Sequence, residues 1–503
     1  MGRRGTVGGV SPATLVRRLS LPVLLLLVAA VGAGCGTSGD TADPAAIVPA
    51  RAPVYVEATV APQGELRDDA LAAGRKLLDT NDPEARLREL LRDHGKGDVK
   101  GWLGERVAAF KLPATRGARE GAVIATTSDP DAAREYVQAQ GSKTERHGDV
   151  ELRLATDGTA YALVEDQVVA GQPAAVRAAI DAAKGDSLAE SDSFKKAFER
   201  VDGEDGIGRA YLAPRTLLQR SGLQSGVPGA GMLGSLASGA LTGTLPSAVA
   251  ARFHADGDAI RADVASVGGG QPAEPADPAF LAALTGKAWL AAGVGEVGPL
   301  LKEQLEALGG SQAMLGLLSA QAGLDIEKDL LGWMGQGAVF VTGTERDSIG
   351  GALVVRSKDP AATRAAIPKL SGLIGRFANG VTTTPLRAQG VDAGFTLRPP
   401  GATQAVHVAA AGDLFVIALG DEALREAVSP GSKMGDDANF RDAAATLGDD
   451  LEPTAYVAVQ RLAEVMAASG KRPDQLETYL RRFSAFVAAD RGDGRWRASL
   501  AFR

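Results

Sequence analysis

Seven short landmarks occur twice in this chain, in the same order and roughly 230 to 250 residues apart. Val54-Tyr55-Val56-Glu57-Ala58 resembles Ala288-Trp289-Leu290-Ala291-Ala292, and Gly101-Trp102-Leu103-Gly104 resembles Gly332-Trp333-Met334-Gly335. Gly121-Ala122-Val123-Ile124 followed by Asp129-Pro130 resembles Gly351-Ala352-Leu353-Val354 followed by Asp359-Pro360. Gln167-Val168-Val169-Ala170 with Ala175-Val176-Arg177 resembles Asp413-Leu414-Phe415-Val416 with Ala423-Leu424-Arg425. Ser193-Phe194 matches Asn439-Phe440, Ala210-Tyr211-Leu212 matches Ala455-Tyr456-Val457, and a hairpin at Asp256-Gly257 matches one at Asp493-Gly494. The period is far longer than that of a solenoid repeat. A whole domain is therefore written twice, and 503 residues divide into a first repeat at 47–270 and a second at 275–503.

Local chemistry makes each repeat α+β. Asp129-Pro130 and Asp359-Pro360 set a capping carboxylate ahead of a proline at the first helical position, where a missing N–H costs nothing. Val150, Leu152 and Leu154 alternate with Glu151 and Arg153, and Trp496, Ala498, Leu500 and Phe502 alternate in the same way with polar residues. That period of two is a half-buried strand. It predicts a largely antiparallel sheet in each repeat with helices packed on one face. Asp256-Gly257 and Asp493-Gly494 tolerate the positive φ that tight hairpins require. Trp102 and Trp333, matched, flanked by glycine and next to apolar strands, read as core anchors. The repeats differ at 221–247, which is Gly-rich, apolar and uncharged, against the charged, helix-like 467–482. Segment 221–247 reads as a loop or loosely packed helix, or as an apolar flap over a cavity or membrane surface.

The first 35 residues read as an export signal and are set apart from the fold. Arg3, Arg4, Arg17 and Arg18 precede the uncharged run Leu19–Ala30, and Val31-Gly32-Ala33-Gly34 leads to Cys35, the only cysteine. The run is shorter than the roughly 20 residues that span a bilayer. A cysteine directly after small residues resembles the lipid-modified cysteine of bacterial lipoproteins, so Cys35 is the expected lipidation site. Gly32 stands where that pattern usually has Leu, which leaves the signal-peptidase class open. Simple cleavage and an uncleaved anchor also fit, and all three readings put the body outside the cytoplasm. Two acyl chains suffice for a stable anchor. Residues 36–46, small and polar with one proline, read as a flexible tether.

Chemistry-bearing patterns are scarce. His94, His147, His254 and His407 have no ligand-type partner at helical spacing, and no serine elbow or phosphate-cradling loop is present. Acidic runs at 202–205 and 448–452 lack the spacing of a calcium loop and read as turn formers. The expectation is no catalytic residue, no metal site and no cofactor. A net charge of −7 without a basic stripe argues against nucleic acid.

Beyond the leader, Ile47-Val48-Pro49-Ala50-Arg51-Ala52-Pro53-Val54-Tyr55-Val56-Glu57, the Asp129-Pro130 helix start and the Phe194 and Tyr211 landmarks resemble proteins grouped as domain of unknown function 3352. The resemblance covers most of the chain and implies a bacterial envelope protein, lipid-anchored or membrane-tethered, with no catalytic residues to carry over. The expected function is a non-catalytic, lipid-anchored protein on the extracytoplasmic face of the cell membrane. Its two homologous lobes would serve as a scaffold or binding surface, with an apolar ligand or an envelope protein as partner and the groove between lobes as the default site. The alternatives are an extracytoplasmic hydrolase acting on envelope polymers and a partner-binding module of an envelope assembly.

Overall fold

The computed structural model describes residues 42–503 except 61, 63, 84–98, 100, 114–119, 204–205, 221–245, 270–273, 308–324, 346–347, 378–380, 399–401, 449–450 and 469–479. The leader, Cys35, His94 and all of the Gly-rich segment but Pro246 and Ser247 lie outside the described residues. The chain separates into two compact units at Gly269–Gly270, close to the boundary the landmarks give.

The first unit is built on ten described strands: β1 (Val54–Thr59), β2 (Leu103–Lys111), β3 (Gly121–Thr127), β4 (Lys143–His147), β5 (Val150–Leu154), β6 (Ala160–Val164), β7 (Gln167–Gly171), β8 (Gly208–Leu212), β9 (Ala248–Ala255) and β10 (Ala259–Val267). They pair antiparallel in the order β10-β9-β8-β1-β2-β3-β7-β6-β5-β4. The second unit has β11 (Leu290–Glu296), β12 (Met334–Thr342), β13 (Gly350–Ser357), β14 (Thr382–Pro385), β15 (Ala393–Arg398), β16 (Val406–Ala411), β17 (Leu414–Leu419), β18 (Ala455–Ala458), β19 (Phe483–Gly492) and β20 (Arg495–Phe502). Their order is β20-β19-β18-β11-β12-β13-β17-β16-β15-β14, again antiparallel. Each strand of the second unit holds the place of the strand ten earlier. The chain is a tandem duplication of an α+β domain.

Helices cover both faces of each sheet, not the single face expected. On one face of the first unit lie α1 (Pro173–Ala182) and α2 (Asp192–Glu199), packing Val176, Ile180, Phe194 and Phe198 against Tyr55, Phe110 and Ile124. On the other lies the helix Pro130–Gln140, whose Ala133 and Val137 bury Trp102 with Ala125 and Val168. The second unit repeats this. There α3 (Pro278–Ala282), α4 (Asp421–Val428) and α5 (Ala438–Ala445) cover the Phe340 face, and the helix Pro360–Phe377 covers the Trp333 face. The reason lies in the central strands. Residues 121–125 of β3 and Leu414–Leu419 are continuous apolar runs, which need shelter on both sides. The alternating strands β5, β10 and β20 sit at or next to the ends of the order in their own unit, so their pattern does not represent the middle. Trp102 and Trp333 are buried core residues, 4% and 2% exposed, as expected.

Capping chemistry fixes the helix starts. Asp129 accepts from the amides of Asp131 and Ala132 at 3.0 Å, and Asp359 accepts from Ala361 and Ala362 at 3.0 Å. A further pair of the same kind, Asp43-Pro44 and Asp277-Pro278, went unread in the sequence. Asp43 takes the amide of Ala45 and Asp277 that of Ala279, each at 2.9 Å. Pro44–Ile47 forms a 3-10 turn whose Pro44, Ala45 and Ile47 are buried. Residues 43–46 thus belong to the folded body and not to a tether. Of the two hairpins, the second is as expected and the first is not. Asp493 and Gly494 take φ of 54° and 70°. The turn at Asp256 is longer and is held by its carboxylate, which accepts from the amides of Asp258 and Ala259 at 2.8 Å.

Strand register corrects one landmark. Tyr55 stands opposite Phe110 and Tyr211, while Ala291 stands opposite Phe340 and Tyr456. The structural counterpart of Tyr55 is therefore Ala291, two residues beyond the match read from sequence. A shift of two keeps every side chain on its own face, so alternation alone cannot detect it.

Candidate functional site

With the register fixed, corresponding positions can be compared. On the first unit's α1 and α2 face, Tyr55 and Glu57 of β1 project to the same side, with Arg209 of β8 directly across from Glu57. The Tyr55 hydroxyl donates to Glu57 Oε2. Arg209 Nε donates to the same oxygen at 2.8 Å, and its terminal nitrogen reaches Asp43. The guanidinium also lies 5.9 Å from the Tyr55 ring centre and 5.7 Å from those of Phe194 and Phe198. Glu57 is 5% exposed, so its charge is tolerated only because it is paired. Burial, with the negative charge of Glu57 next, pushes the Tyr55 hydroxyl well above its ordinary range. Burial alone would lower the Arg209 pKa, but Tyr55, Glu57 and Asp43 around it outweigh that and raise it. This is a closed, satisfied cluster under aromatic cover. Its groups are committed to one another.

The second unit keeps Asp277 in the place of Asp43 but lacks the buried ion pair. Ala291 and Gly293 stand for Tyr55 and Glu57, and Thr454 for Arg209. Ser191 caps α2 through the Phe194 amide as Asp437 caps α5 through that of Phe440. Ser193 meets the Tyr211 hydroxyl at 2.9 Å, and Asn439 meets that of Tyr456 at 2.8 Å. These matches put Ala444 where the first unit has Phe198. Part of the space is refilled: a methyl built on Gly293 would come within 2.5 Å of the Ala276 Cβ. Phe280 belongs to the same core, with Arg356 4.6 Å above its ring. At Ala444 a groove of about 670 Å³ opens between α3 and α5, lined by Pro278, Ala282, Phe440, Ala444, Ala445 and Leu451 among others. Among the described residues one charged side chain, Glu452, is on its lining.

A second, polar cleft of about 700 Å³ lies at the N-terminal end of α5, lined by Lys287, Trp289, Asn439, Tyr456, Arg461 and Arg503 among others. Lys287 Nζ is 2.9 Å from Glu426 and 3.1 Å from Glu422, and hydrogen bonds to these acids, Glu426 foremost, raise its pKa. Arg461 meets Glu464 at 3.0 Å. Asp437, also on the lining, is occupied by the helix cap. Groove and cleft share no lining residue but approach each other along one seam. Ala282 and Gly286 flank the Thr285–Lys433 bridge, and neighbouring Asn439 and Phe440 face the cleft and the groove respectively. Both openings lie within one unit, a different place from the groove between lobes expected from sequence.

The three described histidines stay apart. His147 meets Asp181 at 2.8 Å, and His254 lies 3.8 Å from Asp263. Buried His407 meets Thr396 at 3.0 Å through Nδ1; its Nε2 is 2.9 Å from Asp421 without hydrogen-bond geometry. Among the described residues no three His, Cys, Asp or Glu side chains gather as metal ligands, and no helix is long and apolar enough to cross a membrane. Neither the groove nor the cleft was legible in the sequence. The signal that could have found the groove is the exchange of Phe198 for Ala444, which has meaning only after Ser193-Phe194 and Asn439-Phe440 are extended along their helices.

The chain matches the model of a family described as protein of unknown function (DUF3352) over residues 21–245 and 283–483, and it belongs to that family. The two matched stretches correspond to the two units. No curated protein matches. A solved structure, crystal form I of TP0453, is similar at 12% identity over 77% of this chain and 97% of that one, with a TM-score of 0.15, which supports no argument about fold or function.

Proposed function

We propose that this DUF3352 protein is a non-catalytic binding protein of the cell envelope, anchored on the extracytoplasmic face through lipid on Cys35. In this reading the first unit is a structural scaffold and the second takes up an apolar ligand. One observation carries the binding role: the same domain is present twice, and where the first copy seals its helix face with Phe198 over a buried ion cluster, the second leaves a groove of about 670 Å³. Concave apolar sites with a few polar groups at their margin are the usual form of small-ligand sites. The address rests on the leader ahead of Cys35.

Native mass spectrometry of the full chain, released gently from its own membrane, tests both parts. The expected result is a chain beginning at Cys35 with the mass of an acylated cysteine, together with a non-covalently held mass that Ala444→Phe removes. Cys35→Ser is expected to release the chain from the membrane fraction. A chain that retains residues 1–35 unacylated refutes the anchor. A chain that carries nothing, or whose passenger survives Ala444→Phe, refutes the binding site.

A further inference from the structure

We infer that the second unit binds an anionic amphiphile, its hydrocarbon chain in the groove between α3 and α5 and its acid group at the adjoining cleft. The inference rests on the binding role proposed above and adds the chemistry of the ligand. The groove walls are mainly alanine, glycine, proline and leucine, with Phe440 as the one ring. Such a surface offers a hydrocarbon chain dispersion contacts and no specific hydrogen bonds. In the first unit the matching position is sealed by Phe198, backed by the Arg209 guanidinium, so the fold accepts an apolar body with a charged end at this location.

At the seam the lining changes character. Lys287, Arg461 and Arg503 share the cleft with one carboxylate, Asp437, which is already used as a helix cap. An ammonium has three N–H donors, and Glu422 and Glu426 take two of those of Lys287, which fixes its position and leaves one donor. Arg461 gives Glu464 one of its five. A carboxylate or phosphate is the ligand end that completes these donors through charge-assisted hydrogen bonds. Glu452, the one charged side chain on the groove among the described residues, disfavours a second acid group there and sets the direction in which the amphiphile lies.

The test uses the full chain in membranes and two photoreactive probes: a diazirine palmitic acid and its uncharged methyl ester. Cross-linked peptides are mapped by mass spectrometry. The acid is expected to label 278–282 and 440–453 about tenfold more than the ester, since charge-assisted hydrogen bonds separate the two. The Arg461→Gln/Arg503→Gln double variant is expected to bring the acid down to the level of the ester. Ala444→Phe, and independently Ala279→Phe from the opposite wall, are expected to abolish labelling by both probes. If acid and ester label the groove equally and the arginine variants change nothing, the anionic specificity is wrong while the apolar site stands. If neither probe labels the groove, the site itself is wrong and the proposed binding role falls with it.

Discussion

Replacing Arg209 with alanine removes the one cation hydrogen-bonded to Glu57 among the described residues, and the cost can be worked from the contacts. Breaking a buried pair by deleting one partner costs ~3–5 kcal/mol, because the other charge stays behind. Glu57 keeps the Tyr55 hydroxyl, and Arg106 stands 3.7 Å away, which places the electrostatic loss toward the lower end. Loss of the guanidinium from beside three aromatic rings adds about 1 kcal/mol. The sum is about 4 kcal/mol. For a unit of this size it lowers the midpoint by ~8–16 °C. Calorimetry gives the shift, and hydrogen exchange read by mass spectrometry shows where it acts: β1 and β8 lose protection, while β11 and β18 keep theirs. The double variant Glu57→Gln/Arg209→Met, with no uncompensated charge, should cost at least ~2 kcal/mol less than the sum of the single ones. A shift below ~1 kcal/mol for Arg209→Ala, or additivity in the double variant, refutes the claim that this cluster is a mutually dependent unit.

Alkaline pH should act through the tyrosines. Burial raises the pKa of Tyr55, Tyr136, Tyr161, Tyr211 and Tyr456, that of Tyr161 to about 12. A raised folded-state pKa stabilises fully below the unfolded value near 10 and loses that contribution as pH rises past it. Tyrosinate absorbance should therefore show five of the six tyrosines ionising late, together with unfolding; all six ionising near pH 10 in a folded chain would contradict the burial. Asp359→Ala should cost about 1 kcal/mol in a denaturant titration, as loss of a helix cap does, and an unchanged midpoint would show that Pro360 alone sets that helix start. Ala444→Phe should leave the melting temperature unchanged or raised, since the first unit carries phenylalanine there; a fall of several degrees would mean that the two helix faces are not equivalent.

Much of the architecture was legible in the residues. Asp129-Pro130 and Asp359-Pro360 announced two helices, and the ordered landmarks announced the duplication before any coordinate. The misses have physical causes. Helices on both faces escaped because alternation was read from β5 and β20, at or next to the ends of the order in their own unit, while β17 is apolar throughout and β3 is apolar up to Ala125. Asp43-Pro44-Ala45-Ala46 looks like linker by composition; only its likeness to Asp277-Pro278-Ala279 marks it as a repeated helix start. Four replacements lying far apart in sequence distinguish this face of the second unit, Tyr55 by Ala291, Glu57 by Gly293, Arg209 by Thr454 and Phe198 by Ala444, and the last of them lines the groove. None is informative singly, and two are hidden by the shift of two residues in β1.

A polypeptide that encodes one strand order twice carries an inherent ambiguity while it folds: β8 has two acceptable neighbours, β1 and β11, and β18 has the same two. Backbone hydrogen bonding cannot tell them apart. The pair formed by Glu57 and Arg209 can. If β8 docks on β11, Arg209 faces Gly293; if β18 docks on β1, Glu57 faces Thr454. Either exchange strands a charge under aromatic cover at a cost of several kcal/mol. The salt bridge thus works as a label that tells each half of the chain which half it is.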